Sequence, residues 1–257
     1  MFTIALFADG IFPLQTGGMQ KHSFYLTKFL ARKKIKTDLY YLTDSTSSLN
    51  TTLEKEFSSQ EKEFINLFPV QPANKRFFPG HYIFENYIAS KKLYKSYCKN
   101  PAVDFIYAQG FTGWYTLRKK NRNVTKETSL GINFHGLNMF QTPPSKFSIL
   151  SYYSFKFFVL QNLKKADHIF SLGGKLTTIL QNSGFQQKVI EIPIGIAENW
   201  LSTSPTPNKS QKISFIFIGR YDRLKGIEEL SDVIYTNSNN AFSSSEFHFI
   251  GPIPANK

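Results

Sequence analysis

Residues 212–230 read KISFIFIGRYDRLKGIEEL, and this stretch decides the fold class of the chain. The apolar run that ends in Gly219 predicts a buried strand and a tight turn, and Ile227 begins a helical pattern. A strand that enters a helix through a glycine leaves backbone N–H groups and the positive helix end at one point. Arg220 and Lys225 add two cations there, which favours a phosphate or pyrophosphate ligand. A surface loop with two solvated charges is the alternative interpretation.

Composition indicates a packed globular protein. The chain has 257 residues, 41% of them hydrophobic and 16% aromatic, enough for one large or two modest domains. The single cysteine, Cys98, excludes an internal disulfide and a thiolate zinc site, and we expect its thiol to be buried or half-buried. The opening residues MFTIALFADG read as a strand and not as a secretory signal. No apolar run reaches the ~18 residues needed to cross a bilayer.

Charge is the strongest signal in the composition. The chain carries a net charge of +13, and 25 of its 31 basic and 13 of its 18 acidic residues precede Thr206. The positive excess therefore lies in the first part of the chain. A nucleic acid, an anionic membrane face or a phosphorylated substrate would each account for it. A solvated, lysine-rich surface is the alternative.

The start of the chain predicts a β-α-β unit. Thr3–Ala8 is a short apolar run typical of a central parallel strand, a helix follows over about Met19–Lys33, and Lys36–Leu42 is a second strand. Gly17 and Gly18 stand at the start of the helix, where missing side chains let an anion approach the backbone amides. Glycine also merely permits tight turns, so this pair has a structural interpretation as well.

Two further strands end in polar residues. Val103–Ala108 is followed by Gln109 and Gly110, at the edge where parallel α/β sheets build their sites. Thr128–Phe134 ends in His135 and Gly136, which places a histidine where it can contact a ligand; a purely structural histidine is the alternative. The other predicted elements are strands at 64–68, 167–171, 188–192 and 247–251 and helices at 82–97, 145–165 and 173–182.

The helix predicted over 145–165 is rich in aromatic residues and lysines. Its apolar positions cover most of the helix circumference, so one side must belong to the core. The aromatic residues and lysines that remain are typical of helices that lie on lipid headgroups. A core helix with lysines at its ends is the alternative.

Four motifs together resemble glycosyltransferase family 4, a group of retaining sugar transferases with the GT-B fold. The motifs are Gly17-Gly18 before a helix, His135-Gly136 after a strand, Pro193 and Gly195 at the family's hinge, and Gly219-Arg220 with Lys225-Gly226. At the hinge the family has Pro-Asn-Gly-Ile/Val-Asp, and Ile194 and Ala197 depart from that pattern. The resemblance implies an α/β, GT-B-like fold with a complete N-terminal acceptor-side Rossmann-like domain at 1–202. A linker at 203–211 and a partial, truncated nucleotide-sugar-binding domain at 212–257 would follow.

The resemblance also implies an activity: transfer of a hexose-type sugar from a nucleotide diphosphate sugar to a hydroxyl acceptor, with retention of configuration. Arg220 and Lys225 would hold the pyrophosphate and stabilise the leaving group, and His135 would position and polarise the donor. Four glycines would lie against the donor: Gly17, Gly18, Gly136 and Gly219. No metal or other cofactor is expected, because the two cations take the place of Mg²⁺ and the chain has no Asp-x-Asp motif.

The implied setting is cell-surface polysaccharide or glycolipid synthesis in the cytoplasm or at the inner face of the membrane. The acceptor would be a glycan or a lipid-linked molecule, peripheral membrane contact would come from the basic, aromatic first domain, and no nucleic acid is expected. The family's paired-glutamate segment has no equivalent, because Glu228 and Glu229 belong to a different helix and should face solvent.

Two alternatives stay open. One is a catalytically incomplete remnant or fragment of a transferase, whose uncovered sheet edge and apolar surface would cause instability or association. The other is a basic nucleic-acid-binding protein, although the sequence contains no recognisable recognition module.

Overall fold

The computed structural model describes residues 1–44, 48–72, 74, 78, 80–120, 128–143, 146–196, 201, 212–219, 221, 225–237, 242 and 244–251. The chain divides into two compact units, Met1–Ala197 and Glu198–Lys257. The linker expected at 203–211 lies outside the described residues, and so does Arg220, which was expected to bind phosphate. The domain boundaries inferred from the sequence therefore stay a prediction.

The first unit alternates strands and helices along the chain. Its strands are β1 (Thr3–Ala8), β2 (Lys36–Leu42), β3 (Ile65–Val70), β4 (Phe105–Gln109), β5 (Ser129–Asn133), β6 (His168–Ser171) and β7 (Val189–Glu191). Its α-helices are α1 (Gly18–Arg32), α2 (Ser48–Lys55), α3 (Ser59–Lys62), α4 (His81–Tyr97), α5 (Trp114–Lys120), α6 (Ile149–Lys165) and α7 (Lys175–Leu180). Short 3-10 segments occur at Gly110–Gly113, Asn138–Phe140 and Lys146–Ser148, and a π-helical turn at Gln181–Phe185.

The seven strands form one sheet in the order β3-β2-β1-β4-β5-β6-β7, and every neighbouring pair is parallel. The chain builds outward from β1 to one side and then continues from β4 to the other. At such a reversal the loops after the two central strands diverge and leave a crevice at the carboxyl ends of the strands. The predicted parallel α/β fold is confirmed.

Helices cover both faces of this sheet. Ala5 and Phe7 of β1 join the core cluster that contains side chains of α4, α5 and α6, whereas Leu6 and Ala8 join the cluster that contains those of α1 and α2. Successive strand residues point to opposite faces, so a strand covered on both sides is apolar throughout. This is why Thr3–Ala8 reads as a continuous apolar run and not as an alternating one.

The second unit is smaller. Its strands β8 (Ile213–Ile218) and β9 (Ser245–Ile250) pair in parallel and α8 (Ile227–Asn237) lies between them in the chain. Large apolar side chains of these elements are exposed, namely Ile213, Phe215, Ile216, Ile218, Val233, Tyr235, Phe249 and Ile250. An exposed apolar surface of this kind is typical of a face that packs against another structural element or another molecule.

The structure shows the solvent exposure of Cys98 and of the two adjacent glutamates of α8. The expectation that Cys98 is buried or half-buried is wrong: it is the C-cap residue of α4, and it is exposed. Glu228 and Glu229, in the first turn of α8, are exposed as expected.

Close packing makes Gly131 of β5 necessary. A Cβ atom added to Gly131 would lie 2.8 Å from Cζ of Phe105 and would also collide with the ring of Phe170. The two rings therefore occupy the space that a side chain would need.

We predict that Gly131→Ala lowers the free energy of unfolding by about 1–3 kcal/mol, because overpacking a filled core forces side chains or backbone to shift. Urea denaturation measures this change. Gly136→Ala is the matched control, since a Cβ at Gly136 meets no atom within 4 Å. An equal loss of stability in both variants would contradict the packing explanation.

Candidate functional site

A cavity of about 360 Å³ opens in the first unit at the carboxyl ends of β1, β4 and β5. Its described lining residues come from these strand ends and from the neighbouring helices α1, α4 and α6. They are Asp9, Met19, Tyr82, Asn86, Gln109, Gly110, Phe111, Thr112, Phe134, His135, Gly136, Asn138, Met139, Ser151, Tyr152 and Phe155. Its volume lies within the range of roughly 300–1,000 Å³ typical of small-molecule sites. The crevice expected at the reversal of strand order is therefore large enough to hold a ligand.

His135 follows β5 and lies in this lining. Its ring centroid is 4.8 Å from that of His22 on α1, with the two rings nearly perpendicular. Burial, and secondarily the proximity of His22, lowers the pKa of His135 to about 4. The buried Nε2 atom has no hydrogen-bond partner among the described residues. At neutral pH the site therefore contains an uncharged imidazole with an unused ring nitrogen.

His22 is tied to the sheet through Tyr107. Nε2 of His22 lies 3.3 Å from the Tyr107 hydroxyl oxygen, and Nδ2 of Asn133 donates a hydrogen bond of 2.8 Å to that same oxygen. The hydroxyl hydrogen of Tyr107 is not used toward Asn133, so it can be donated to an unprotonated Nε2 of His22. Burial lowers the pKa of His22, which favours the same uncharged form.

Asp9 follows β1 and is another residue of the cavity lining. Nε2 of Gln20 donates a hydrogen bond of 3.2 Å to Oδ1 of Asp9, but burial outweighs this contact and raises the pKa of Asp9 to about 6. A Cβ atom on Gly17 would lie 3.1 Å from Cδ of Gln20 and would also collide with its amide oxygen. Gly17 therefore leaves the room that Gln20 needs to reach Asp9.

Of the predicted site residues of the first unit, His135 and Gly136 are in the cavity lining, whereas Gly17 and Gly18 are not among its described lining residues. Gly17 is the N-cap residue of α1 and Gly18 its first residue, and Met19 follows them into the cavity lining together with His135 and Gly136. A Cβ on Gly18 would meet nothing within 4 Å, so the backbone there is open to a close approach. The donor-binding roles inferred for these residues stay predictions.

In the second unit, Gly219 and Lys225 are neighbours. A Cβ on Gly219 would lie 3.9 Å from Cγ of Lys225, whose side chain is exposed. The amide nitrogen of Gly219 donates a 3.0 Å hydrogen bond to the carbonyl oxygen of Ile250. A Cβ atom on Gly251, which follows β9, would collide with the carbonyl group of Gly219. The turn after β8 therefore requires a glycine at the end of the neighbouring strand.

Sequence reasoning missed three residues of the first unit. Asp9, Gln20 and His22 gave no separate signal, because an acid after a strand and polar residues on a helix are common surface features. His22 lies four positions after Gly18 and therefore faces the same direction as the helix start, which is the one local hint it offers. Its partners Tyr107 and His135 are distant in the chain.

No family model matches this sequence, and no curated protein matches it. Among solved structures, the chain is similar to sucrose-phosphate synthase from Thermosynechococcus elongatus, with 15% identity, a TM-score of 0.74, and coverage of 100% of this chain and 64% of that one. It is similar to the lipopolysaccharide outer core galactosyltransferase WaaB, with 9% identity, a TM-score of 0.58, and coverage of 97% and 68%. The chain is also similar to the structure of Phytolacca americana UGT2 complexed with UDP-2-fluoro-glucose and pterostilbene, with 13% identity and a TM-score of 0.54. That match covers 98% of this chain and 72% of UGT2.

These similarities establish the fold class. The chain has the GT-B fold of glycosyltransferases, and it spans less than two thirds of the synthase chain that it matches. In the part of the chain that the structure describes, no helix has the length and hydrophobicity to cross a bilayer. Within those same residues, no three His, Cys, Asp or Glu side chains are grouped so that they could hold a metal ion.

We predict that His135→Gln weakens the rise in stability with pH. Between the folded pKa near 4 and the ordinary value of 6.5, the unfolded chain binds a proton at His135 that the folded chain does not. The free energy of unfolding therefore increases with pH across this window, and the variant should lose about 1–3 kcal/mol of that increase. Urea denaturation at several pH values between 4 and 7 measures it.

Asp9→Asn provides a control of opposite sign. The pKa of Asp9 is raised from 3.8 to about 6, so the folded chain keeps a proton that the unfolded chain loses in this window. That contribution makes stability fall with rising pH, and its removal should steepen the net rise. Identical pH profiles for wild type and both variants would show that neither side chain is buried as described.

Proposed function

We propose that this chain is a glycosyltransferase that transfers a sugar from a nucleotide diphosphate sugar to a hydroxyl group of an acceptor. The observation that carries the proposal is the GT-B fold, matched over 100% of this chain at a TM-score of 0.74. The strand-end cavity with Asp9 and His135 and the glycine turn with Lys225 supply a pocket and a cation in that fold. The neighbour complexed with UDP-2-fluoro-glucose supports the donor class.

The donor pyrophosphate would be held in the second unit by Arg220 and Lys225. Lysine and arginine form charge-assisted hydrogen bonds to phosphate oxygens, and those bonds strengthen as negative charge develops on a leaving group. Glycine at Gly219 keeps a side chain away from the backbone amides of the turn. Because these cations offset the pyrophosphate charge, we propose that the reaction needs no metal ion and no other cofactor.

We further propose membership of glycosyltransferase family 4 and retention of configuration, on the strength of the four matching motifs. In such a reaction the bond from the anomeric carbon to the phosphate oxygen breaks while the acceptor oxygen bonds to the same face. The acceptor proton passes to the departing phosphate oxygen, so no protein nucleophile is required. Neutral His135 would then position hydroxyl groups by hydrogen bonding, since its low pKa makes it a weak base.

A peripheral membrane contact is proposed for helix α6. Leu150, Tyr153 and Phe157 are 78%, 68% and 56% exposed. Their spacing of three and four residues places them on one side of the helix. Lys146 and Lys164 continue that side at its two ends, and both are exposed. An exposed apolar stripe between lysines is typical of helices that lie on anionic lipid headgroups.

This contact fits the wider setting implied by the family resemblance. A lipid-linked or glycan acceptor in polysaccharide or glycolipid synthesis would be met at the cytoplasmic face of a membrane. The net charge of +12 before Thr206 would favour anionic lipid over neutral lipid.

We predict that Lys225→Ala weakens UDP binding about tenfold or more, because a hydrogen bond to a charged group contributes roughly 1.5–3 kcal/mol. Isothermal calorimetry measures the affinity. Lys212→Ala is the matched control in the same unit, since Lys212 forms an ion pair with Glu246 at 3.5 Å. Addition of EDTA should leave UDP affinity unchanged. Failure of UDP, GDP and ADP alike to bind would refute the proposed donor site.

Transfer assays with UDP-sugars on the same protein separate an active enzyme from a binding remnant. Nucleotide binding without transfer would favour the catalytically incomplete alternative.

We predict that replacing Leu150, Tyr153 and Phe157 together by serine abolishes binding to vesicles of phosphatidylglycerol and phosphatidylcholine. The loss is expected because buried apolar area and charge attraction together set interfacial affinity. Co-sedimentation measures binding, and raised salt should weaken it for the unchanged chain. Tyr235→Ser is the control for removing an exposed aromatic side chain elsewhere, as Tyr235 is 86% exposed. Equal binding of the triple variant and the control would rule out α6 as the contact.

A further inference from the structure

Gln109 is the most unusual side chain in the cavity lining. It is the last residue of β4, its exposed fraction is 0%, and neither Oε1 nor Nε2 has a hydrogen-bond partner among the described residues. Leaving a buried amide unpaired costs free energy, and native structures rarely do so without a reason. Gln109 is one of the residues that line the cavity, so a shift of its side chain toward a ligand there would let the ligand supply the missing partners.

The chemistry of an amide decides which ligand satisfies it. The carbonyl oxygen of Gln109 accepts hydrogen bonds, and its amino group donates them. A hydroxyl group both donates and accepts, so one or two hydroxyls can satisfy both ends. Phosphate and carboxylate groups mainly accept, so they would leave the carbonyl oxygen facing another oxygen.

Charge in the cavity points the same way. Among its described lining residues there is no lysine or arginine, although the chain carries a net charge of +13. The ionisable groups in that lining with resolved pKa shifts are Asp9, which opposes an anion, and His135, which burial keeps neutral. An anionic ligand would lose its hydration without gaining a counter-charge, which is strongly unfavourable.

The walls of the cavity are aromatic. Tyr82 and Phe155 lie 5.3 Å apart between ring centroids, and Phe111 lies 5.2 Å from Phe134 and 6.4 Å from Phe155. Flat apolar surfaces of this kind pack best against the face of another ring. The volume of about 360 Å³ lies near the lower end of the range of roughly 300–1,000 Å³ typical of small-molecule sites. A cavity of this size suits a small ligand such as one ring with its substituents.

We propose that this cavity selects an uncharged ring that carries hydroxyl groups, and that Gln109 is the residue that sets this specificity. The ring is either a sugar or a phenol, because both present a flat apolar face and hydroxyls at its edge. The inference rests on the proposed function in taking this ligand to be the acceptor. Phosphorylated acceptors, which the basic composition alone would allow, are excluded from this cavity.

Calorimetric titration of the full chain with small probes tests the proposal. Methyl β-D-glucopyranoside represents the sugar ring and 4-methoxyphenol the phenolic ring, and their anionic counterparts are glucose 6-phosphate and phenyl phosphate. At least one neutral probe should bind ten times more tightly than its anionic counterpart. Whichever neutral probe binds identifies the kind of ring. Equal or tighter binding of the anionic probes, or no binding of either neutral probe at millimolar concentration, overturns the proposal.

Gln109→Leu tests the role of the residue, because leucine keeps the approximate volume and removes both hydrogen-bonding ends. We expect affinity for the neutral probe to fall tenfold or more, with no loss of resistance to urea, since the amide forms no hydrogen bond with the described residues. Gln161→Leu on the exposed part of α6 is the matched control and should bind normally. Unchanged probe affinity in Gln109→Leu, or a loss of stability equal to the loss of binding, overturns the assignment.

UDP titrations on the same samples separate this inference from the proposed function. Neutral-probe binding without UDP binding would refute the transferase proposal and leave the specificity of the cavity standing. UDP binding without neutral-probe binding would do the reverse.

Discussion

Parallel pairing of β1 with β2 on one side and β4 on the other is the constraint on which the site depends. In this register Phe7 lies opposite Ala108, and Gln109 lies opposite Asn133 on the next strand. The residues that follow β1 and β4 therefore leave the sheet at the same edge and at nearly the same level. Because the order of strands in the sheet reverses at this point, the loops that follow β1 and β4 diverge and leave a gap at the sheet edge. The cavity is a consequence of strand order.

Burial of polar groups at this edge gives the cavity its chemical character. Asp9, His22 and His135 all have pKa values shifted by burial toward their uncharged forms. Basic residues exceed acidic ones by 13 in the whole chain, and none of the described lining residues is a lysine or arginine, whereas Lys164 and Lys165 of α6 are exposed. The first unit thus has exposed lysines and aromatic side chains on α6 and a cavity whose ionisable groups with resolved pKa shifts are displaced toward their uncharged forms. Under the proposed function, these two environments would suit an acceptor with a lipid-proximal or glycan context and an uncharged reacting ring.

The second unit supplies a different kind of chemistry from the same type of strand-to-helix connection. Its turn is held by the hydrogen bond from Gly219 to Ile250 and by the absence of a side chain at Gly251. Lys225 lies beside Gly219 and its side chain is exposed, so a cation is available next to this turn. If the chain is the transferase proposed above, Lys225 in one unit and the cavity in the other would serve a pyrophosphate donor and a hydroxyl acceptor respectively.

The sequence by itself determined the parallel α/β class and most of its elements, because apolar periodicity and glycine positions are local signals. Thr3–Ala8 and Lys36–Leu42 were predicted with the bounds that the structure shows, and His135 was placed at a strand end. Helix α5 was not predicted, since seven residues are too few to show a clear period. Tertiary structure alone decided that Cys98 is exposed, that His22 meets Tyr107 from 85 residues away, and that the amide of Gln109 finds no partner among the described residues. These outcomes depend on which distant residues the strand order brings together, and no local pattern contains that information.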